Sequence, residues 1–151
     1  MTHAIVPAVP EDLDGLLALE RGCFPAADWF PRRSWKRLLA RPTSVVLVIR
    51  DATVIQAAVV GLLRSKSTVC RIYSLAVDPS LRGQGVGGEL IRALARHVAA
   101  NCHVLSLEVR ADNPAKGLYE KLGFAHVADL PGYYPDGAHG IRLRTRIADL
   151  H

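Results

Sequence analysis

Apolar and polar positions along the chain follow two periods, and their order predicts the elements. Between Pro10 and Cys23, Leu13, Leu16 and Leu17 recur at the spacing of one helix face, with Glu20 further along. Pro10-Glu11-Asp12 supply a proline and two acids for the first turn. A short strand, Ala4–Val6, precedes this helix. Residues 24–33, with Trp29, Phe30 and Pro31, read as irregular, and Ser34 is expected to cap a second helix to Ala40. Val45–Ile49, Val54–Leu63 and Thr68–Val77 are β-branched runs joined by short turns, which predicts consecutive antiparallel strands. After a glycine cluster, Leu90, Ile91, Leu94 and Val98 mark one face of a helix running to about Asn101. His103–Val109 then reads as a strand parallel to Thr68–Val77, because a helix connects the two. A short helix, Ala115–Leu122, ends at Gly123, and Phe124–Leu130 with Ile141–Ile147 form a final hairpin. The expected fold is α/β (α+β): a mixed, mostly antiparallel central sheet flanked by about four helices.

Composition narrows the class. The 151 residues suit one domain, 1–151, and a chain that is 50% hydrophobic and 22% charged is not disordered. Cys23, Cys70 and Cys102 are an odd number at wide spacing, so neither a disulfide framework nor a cysteine metal site is expected; they read as small core residues in a reducing cytoplasm. The histidines form no ligand pair, and no metal is expected. The first residues lack a basic, apolar leader pattern. The most apolar stretch, Val45–Leu63, is interrupted by Arg50, Asp51 and Gln56 and suits a hairpin, not a membrane span. A net charge of +5 favours anionic ligands without choosing among phosphates, nucleotides, nucleic acid or acidic proteins.

The chemistry begins at Arg82-Gly83-Gln84-Gly85-Val86-Gly87-Gly88. Literally this contains the dinucleotide fingerprint G-x-G-x-x-G, with Glu108 twenty residues beyond Gly88. However, residues 78–82 separate the strand from the first glycine, and no second βαβαβ half follows, so that reading fails. No Gly-Lys-Ser/Thr follows either, which excludes a P-loop. Glycines at a helix start still let main chain approach a ligand, and free N–H groups with the helix dipole favour an anion. Arg82 adds a charged donor. The bland alternative is a flexible glycine loop.

These residues carry a resemblance. Leu75-Ala76-Val77-Asp78-Pro79 followed by Arg82-Gly83-Gln84-Gly85-Val86-Gly87 resembles the acetyl-CoA signature of the GCN5-related N-acetyltransferase (GNAT) superfamily. Leu107-Glu108-Val109-Arg110, Asn113-Pro114 and Leu118 to Phe124 resemble its second half, in the right order. Within it, Ala76-Val77-Asp78-Pro79, Leu107-Glu108-Val109-Arg110 and the Tyr133-Tyr134-Pro135 loop are most similar to the ribosomal-protein-alanine (RimI-type) N-terminal acetyltransferases. The resemblance implies a three-layer fold whose sheet splays at the cofactor, acetyl-CoA. It implies that the pantetheine arm pairs with main chain at Leu75, Ala76 and Val77, and that the diphosphate lies on Arg82 to Gly88. Asn113 would bond the arm, and Lys116 is a candidate for the phosphates. Tyr119 lies beside the cofactor as general acid, and Tyr133 and Tyr134 border a peptide groove.

The reaction needs a neutral amine. Deprotonating a protein α-amino group at pH 7 costs about 1 kcal/mol and a lysine about 4–5 kcal/mol, so a modest base serves an N-terminus. Strand alternation puts Leu105, Leu107 and Val109 on one face and Ser106, Glu108 and Arg110 on the other, which makes Glu108 the candidate base. Its alternative is a structural ion pair with Arg110 or another base. The alternative for Tyr119 is a core aromatic, and for the tyrosine loop a plain connection. The acceptor expected is a peptide or protein N-terminus, with a small amine, a lysine side chain or a non-catalytic CoA-sensing role as alternatives. A monomer or homodimer with no membrane partner is expected. The basic, aromatic segment 24–41 reads as a solvated helix face in preference to a nucleic-acid patch.

Overall fold

The computed structural model describes residues 3–151. Seven strands, β1 (Val6–Pro7), β2 (Ser44–Asp51), β3 (Val54–Leu62), β4 (Val69–Val77), β5 (Val104–Arg110), β6 (Ala125–Leu130) and β7 (Gly140–Arg146), form one sheet in the order β1-β2-β3-β4-β5-β7-β6. Four helices flank it: α1 (Leu13–Cys23), α2 (Arg32–Ala40), α3 (Val86–Val98) and α4 (Lys116–Lys121). β2, β3 and β4 are antiparallel neighbours, and β5 lies parallel to β4, as the helix between them requires. The final hairpin folds back so that β7 pairs with β5 and leaves β6 at the edge.

Alternation along the strands divides the interior into two layers. Leu47, Ala57, Val59 and Leu105 meet Leu90 and Leu94 of α3. Val46, Val48, Ala58 and Val60 meet Leu16 of α1 and Trp35 of α2 on the opposite face. α1 and α2 pack over β2, β3 and β4. Farther along that face β7 presents arginines: Arg142 is half-buried, and Arg144 and Arg146 are exposed. No helix among the described residues is long and apolar enough to cross a membrane.

Three local expectations need correction. The first strand is Val6–Pro7, because its ladder partners are Val48 and Leu47. Ser34 caps nothing: α2 starts at Arg32 with Pro31 at the N-cap, and the N–H of Ser34 donates to the Pro31 carbonyl at 2.9 Å. The fixed φ of Pro31 suits a helix entrance, and this outweighs the capping tendency of serine. α3 stops at Val98, where the N–H groups of Asn101 and Cys102 both turn back onto the Val98 carbonyl.

Candidate active site

β4 and β5 pair only through Val69–Val104, Cys70–Leu105 and Arg71–Ser106. Beyond Arg71 the strands part. β4 also carries one extra residue, Tyr73, because Ser74 faces Val60 while Ile72 faces Gly61. A bulge bends its strand and re-aims side chains, and here it lies where the strands separate. From Ile72 to Val77 the side of β4 towards β5 therefore has no ladder partner. The opening is a cleft of about 790 Å³, bordered by Leu75, Arg82, Glu108, Asn113, Tyr119 and Tyr134 among others. Sequence order predicted the parallel pair; the bulge depends on the β3 register and left no local signal.

The glycine segment begins at Arg82, which borders the cleft, while Gly83 to Gly88 lie outside its lining. Gly83 and Gly85 have φ of 79° and 77°, and a Cβ at either would meet nothing within 4 Å, so this main chain is open. Gly85 is the N-cap of α3, whose first helical bond runs from Glu89 N–H to Gly85 carbonyl. The N–H groups of Val86, Gly87 and Gly88 precede that bond and have no helical partner. Gly87 and Gly88 serve packing: a Cβ would come within 3.2 Å of Leu118 and 3.1 Å of Arg92 respectively. Arg82 Nε donates to the Val77 carbonyl at 3.3 Å, and the Gln84 amide donates to the Ser80 carbonyl at 3.4 Å. A cationic guanidinium thus stands beside an open helix start, an arrangement suited to phosphate.

Glu108 lies on the cleft floor with its side chain 8% exposed. The partner of Oε1 is Arg71, with Nε at 3.0 Å, and not Arg110, which pairs with Asp136 at 2.9 Å. The Arg71 N–H is not aimed at the oxygen, so the contact is an ion pair without a hydrogen bond there. The Tyr133 hydroxyl donates to the same Oε1 at 3.4 Å. Oε2 is buried and accepts no hydrogen bond among the described residues. An acceptor oxygen left bare in this way is costly unless a ligand donates to it.

Tyr119 is 7% exposed and borders the cleft, its ring edge-on to Phe124 with centroids 5.8 Å apart. Burial pushes its phenol up to about 12. Its hydroxyl has no hydrogen-bond partner among the described residues. Asn113 borders the cleft, and its Oδ1 accepts the Ala115 N–H at 2.8 Å. Lys116 is half-exposed, its Nζ 3.9 Å from Glu120, and it does not border the cleft. The ring of Tyr134 lies under the Arg110 guanidinium at 4.5 Å, while Tyr133 is 42% exposed. Among the cysteines, Cys70 and Cys102 are buried, but Cys23 is half-buried on the cleft wall, its thiol donating to the Val77 carbonyl at 3.3 Å.

Three further residues, Glu20, Phe30 and Tyr73, join the wall, and Arg71 packs on one of them. Glu20 is 3% exposed on α1, and its Oε1 accepts the Phe30 N–H at 3.0 Å and the Trp35 indole N–H at 3.1 Å. Burial raises its carboxyl above the ordinary range against those two bonds. Phe30 stacks on Tyr73 at 5.1 Å, and Arg71 lies 5.4 Å from the Tyr73 ring. Glu20 was detectable as a carboxylate on the apolar side of α1. Phe30, Tyr73 and Arg71 meet only through tertiary contacts.

The cleft thus combines an unpaired strand edge, a carboxylate with a free oxygen and a protonated phenol, and Arg82 joins it to the open helix start. The sequence profile of the acetyltransferase (GNAT) family matches residues 13–124. The chain belongs to that family. That family is named for acetyl transfer. An uncharacterised Mycobacterium leprae protein is 32% identical over 89% of this chain, which spans only 38% of that relative's length. The N-alpha-acetyltransferase RimI of Mycobacterium tuberculosis is 30% identical over 87% of this chain and 84% of its own length. Among solved structures, the ribosomal-protein-S18-alanine N-acetyltransferase of Escherichia coli superposes with a TM-score of 0.83 at 24% identity, covering 97% of this chain and 94% of the other. Arabidopsis thaliana NAA60 in complex with acetyl-CoA gives 0.83 at 20% identity, covering 97% and 99%. These two establish the GNAT fold. The open glycine main chain, Arg82 and the bare edge of β4 fit a ligand with a diphosphate at one end and an amide arm beyond it.

Proposed function

We propose that this protein is a cytoplasmic N-terminal acetyltransferase, a single domain that moves the acetyl group of acetyl-CoA to the α-amine of a peptide or protein. The observation that carries this reading is the bare, buried Oε2 of Glu108 at the point where β4 and β5 part. The RimI enzyme of M. tuberculosis, named for N-alpha acetylation, supports the acceptor class.

Acetyl-CoA is the donor substrate, and its thioester supplies an activated acyl carbon. The N–H groups of Arg82 to Gly88 and the Arg82 guanidinium would hold its diphosphate. Main chain at Leu75, Ala76 and Val77, with Asn113, would hold the amide arm. Main-chain N–H here also stabilises charge developing on the thioester oxygen. Lys116 is at most a peripheral phosphate contact, given its distance from the cleft lining. Arg71 positions the Glu108 carboxylate, which would take the proton of the attacking amine directly or through a water. As the nitrogen–carbon bond forms and the carbon–sulfur bond breaks, Tyr119 donates its proton to the departing sulfur and regains one from solvent. Tyr133 and Tyr134 border the acceptor.

A coupled thiol-release assay across short peptides and free amines tests the reading. kcat/KM for peptides starting with Ala or Ser should exceed that for lysine and polyamines. The reverse order would move the reaction to side-chain or small-molecule amines, and CoA binding without turnover on any amine would make the protein a sensor.

A further inference from the structure

We infer that the acceptor is acidic in the first few residues after its amine, and that Arg142 and Arg144 of β7 read this acidity. The inference rests on the N-terminal reading above and adds the substrate class.

In the β5–β7 ladder Arg142 stands directly opposite Glu108, and Arg144 directly opposite Ser106. Directly paired residues share a face, so both arginines lie on the sheet face that carries Glu108, beyond the residues that border the cleft. The other cations there are engaged: Arg71 with Glu108, Arg110 with Asp136, Arg146 with Asp149. Arg144 has only the Ser106 hydroxyl, to which its Nε donates at 3.2 Å. Arg142 has no carboxylate within ion-pair distance among the described residues. That face therefore holds two guanidinium groups without an ion-pair partner among the described residues.

The opposite wall has the reverse character, since Glu20 and Asp28 of the α1–α2 region border the cleft. Charge thus changes sign across the site, with carboxylates where an ammonium must dock and guanidinium groups beyond. An extended peptide advances about 3.3 Å per residue, and neighbouring strands lie about 4.8 Å apart. A chain whose amine lies at Glu108 and that runs across β7 brings its second or third side chain over Arg142 and Arg144. An acidic side chain there gains a charge-assisted, forked contact. A nucleic-acid strand fits less well, because Glu20, Asp28 and Glu108 would face its phosphates.

The test compares peptides that share an Ala start and differ at positions two to four as Asp/Glu, Asn/Gln or Lys/Arg, each with saturating acetyl-CoA. The acidic set should have about tenfold higher kcat/KM than the neutral set, mostly through KM, and the basic set should be worst. This ratio should shrink at about 0.5 M salt. In R142Q/R144Q it should fall towards one, while R142K/R144K keeps part of it, and an unchanged thermal midpoint shows that the variants fold. Equal rates on acidic and neutral peptides would overturn the inference and leave N-terminal acetylation intact. Salt-sensitive RNA binding lost in R142Q/R144Q, with no peptide preference, would overturn it and assign the face to RNA. If no peptide is acetylated, both readings fall together.

Discussion

Glu108 has one oxygen held by Arg71 and one left bare, and on this geometry it is proposed as the base. Replacing Glu108 with Gln keeps the shape and removes the proton acceptor. kcat should fall by about 10²- to 10³-fold while the acetyl-CoA Kd, measured by calorimetry, stays the same. Tyr119→Phe should also lower kcat. With its phenol pushed up to about 12, Tyr119 stays protonated through the neutral range, so the variant should change the level of the pH–rate curve and not its shape below about pH 10. Glu20 gives a separate prediction of stability. Its carboxyl is raised, so the folded state favours the neutral form and loses stability as pH climbs from the ordinary carboxylate range through the raised value. Glu20→Gln keeps an oxygen for the Phe30 and Trp35 donors and has no charge to bury. Its thermal midpoint should match the wild type near pH 4 and exceed it at pH 7. Alternation along β5 was enough to place Glu108 in the sequence. Its partner was not legible, because Arg71 comes from another strand and depends on the β4–β5 register.

At the scale of elements, glycines decide how the site is built. Gly85 starts α3 at φ 77° with open space around a Cβ, so Gly85→Ala meets no clash but pays about 1 kcal/mol for the left-handed backbone. It should lower the thermal midpoint slightly and weaken acetyl-CoA binding more than Gly117→Ala, where φ is ordinary and nothing lies within 4 Å. Gly61 acts by packing. A Cβ there would come within 2.9 Å of both Cys70 Sγ and Leu94 Cδ1, so Gly61→Ala should destabilise by about 1–3 kcal/mol in a urea titration. The order of strands and helices was legible from periodicity and from the glycine and proline punctuation. The bulge at Tyr73 was not, since an extra residue in a strand shows only against its neighbour. Nor was the start of α2, where Pro31 prevailed over Ser34.

Across the whole molecule, two packed layers hold a sheet that is closed along β2 to β4 and open between β4 and β5. In the proposed reaction the opening would hold the acyl donor against β4 on one wall, with Glu108 as base on the floor. Because the account requires a neutral α-amine, kcat/KM should climb about tenfold per pH unit below pH 7.7 and level off above pH 8. A lysine acceptor would keep climbing to about pH 10. The family was legible in the motifs around the glycine cluster and Glu108, whereas the basic face was not, because it joins arginines from β4, β5 and β7. The most direct measurement is fragmentation mass spectrometry of an Ala-starting peptide containing one internal lysine, after reaction with acetyl-CoA. Acetyl on the α-nitrogen, and its loss in Glu108→Gln, is the result this account predicts; acetyl on the lysine, or full activity in that variant, would contradict it.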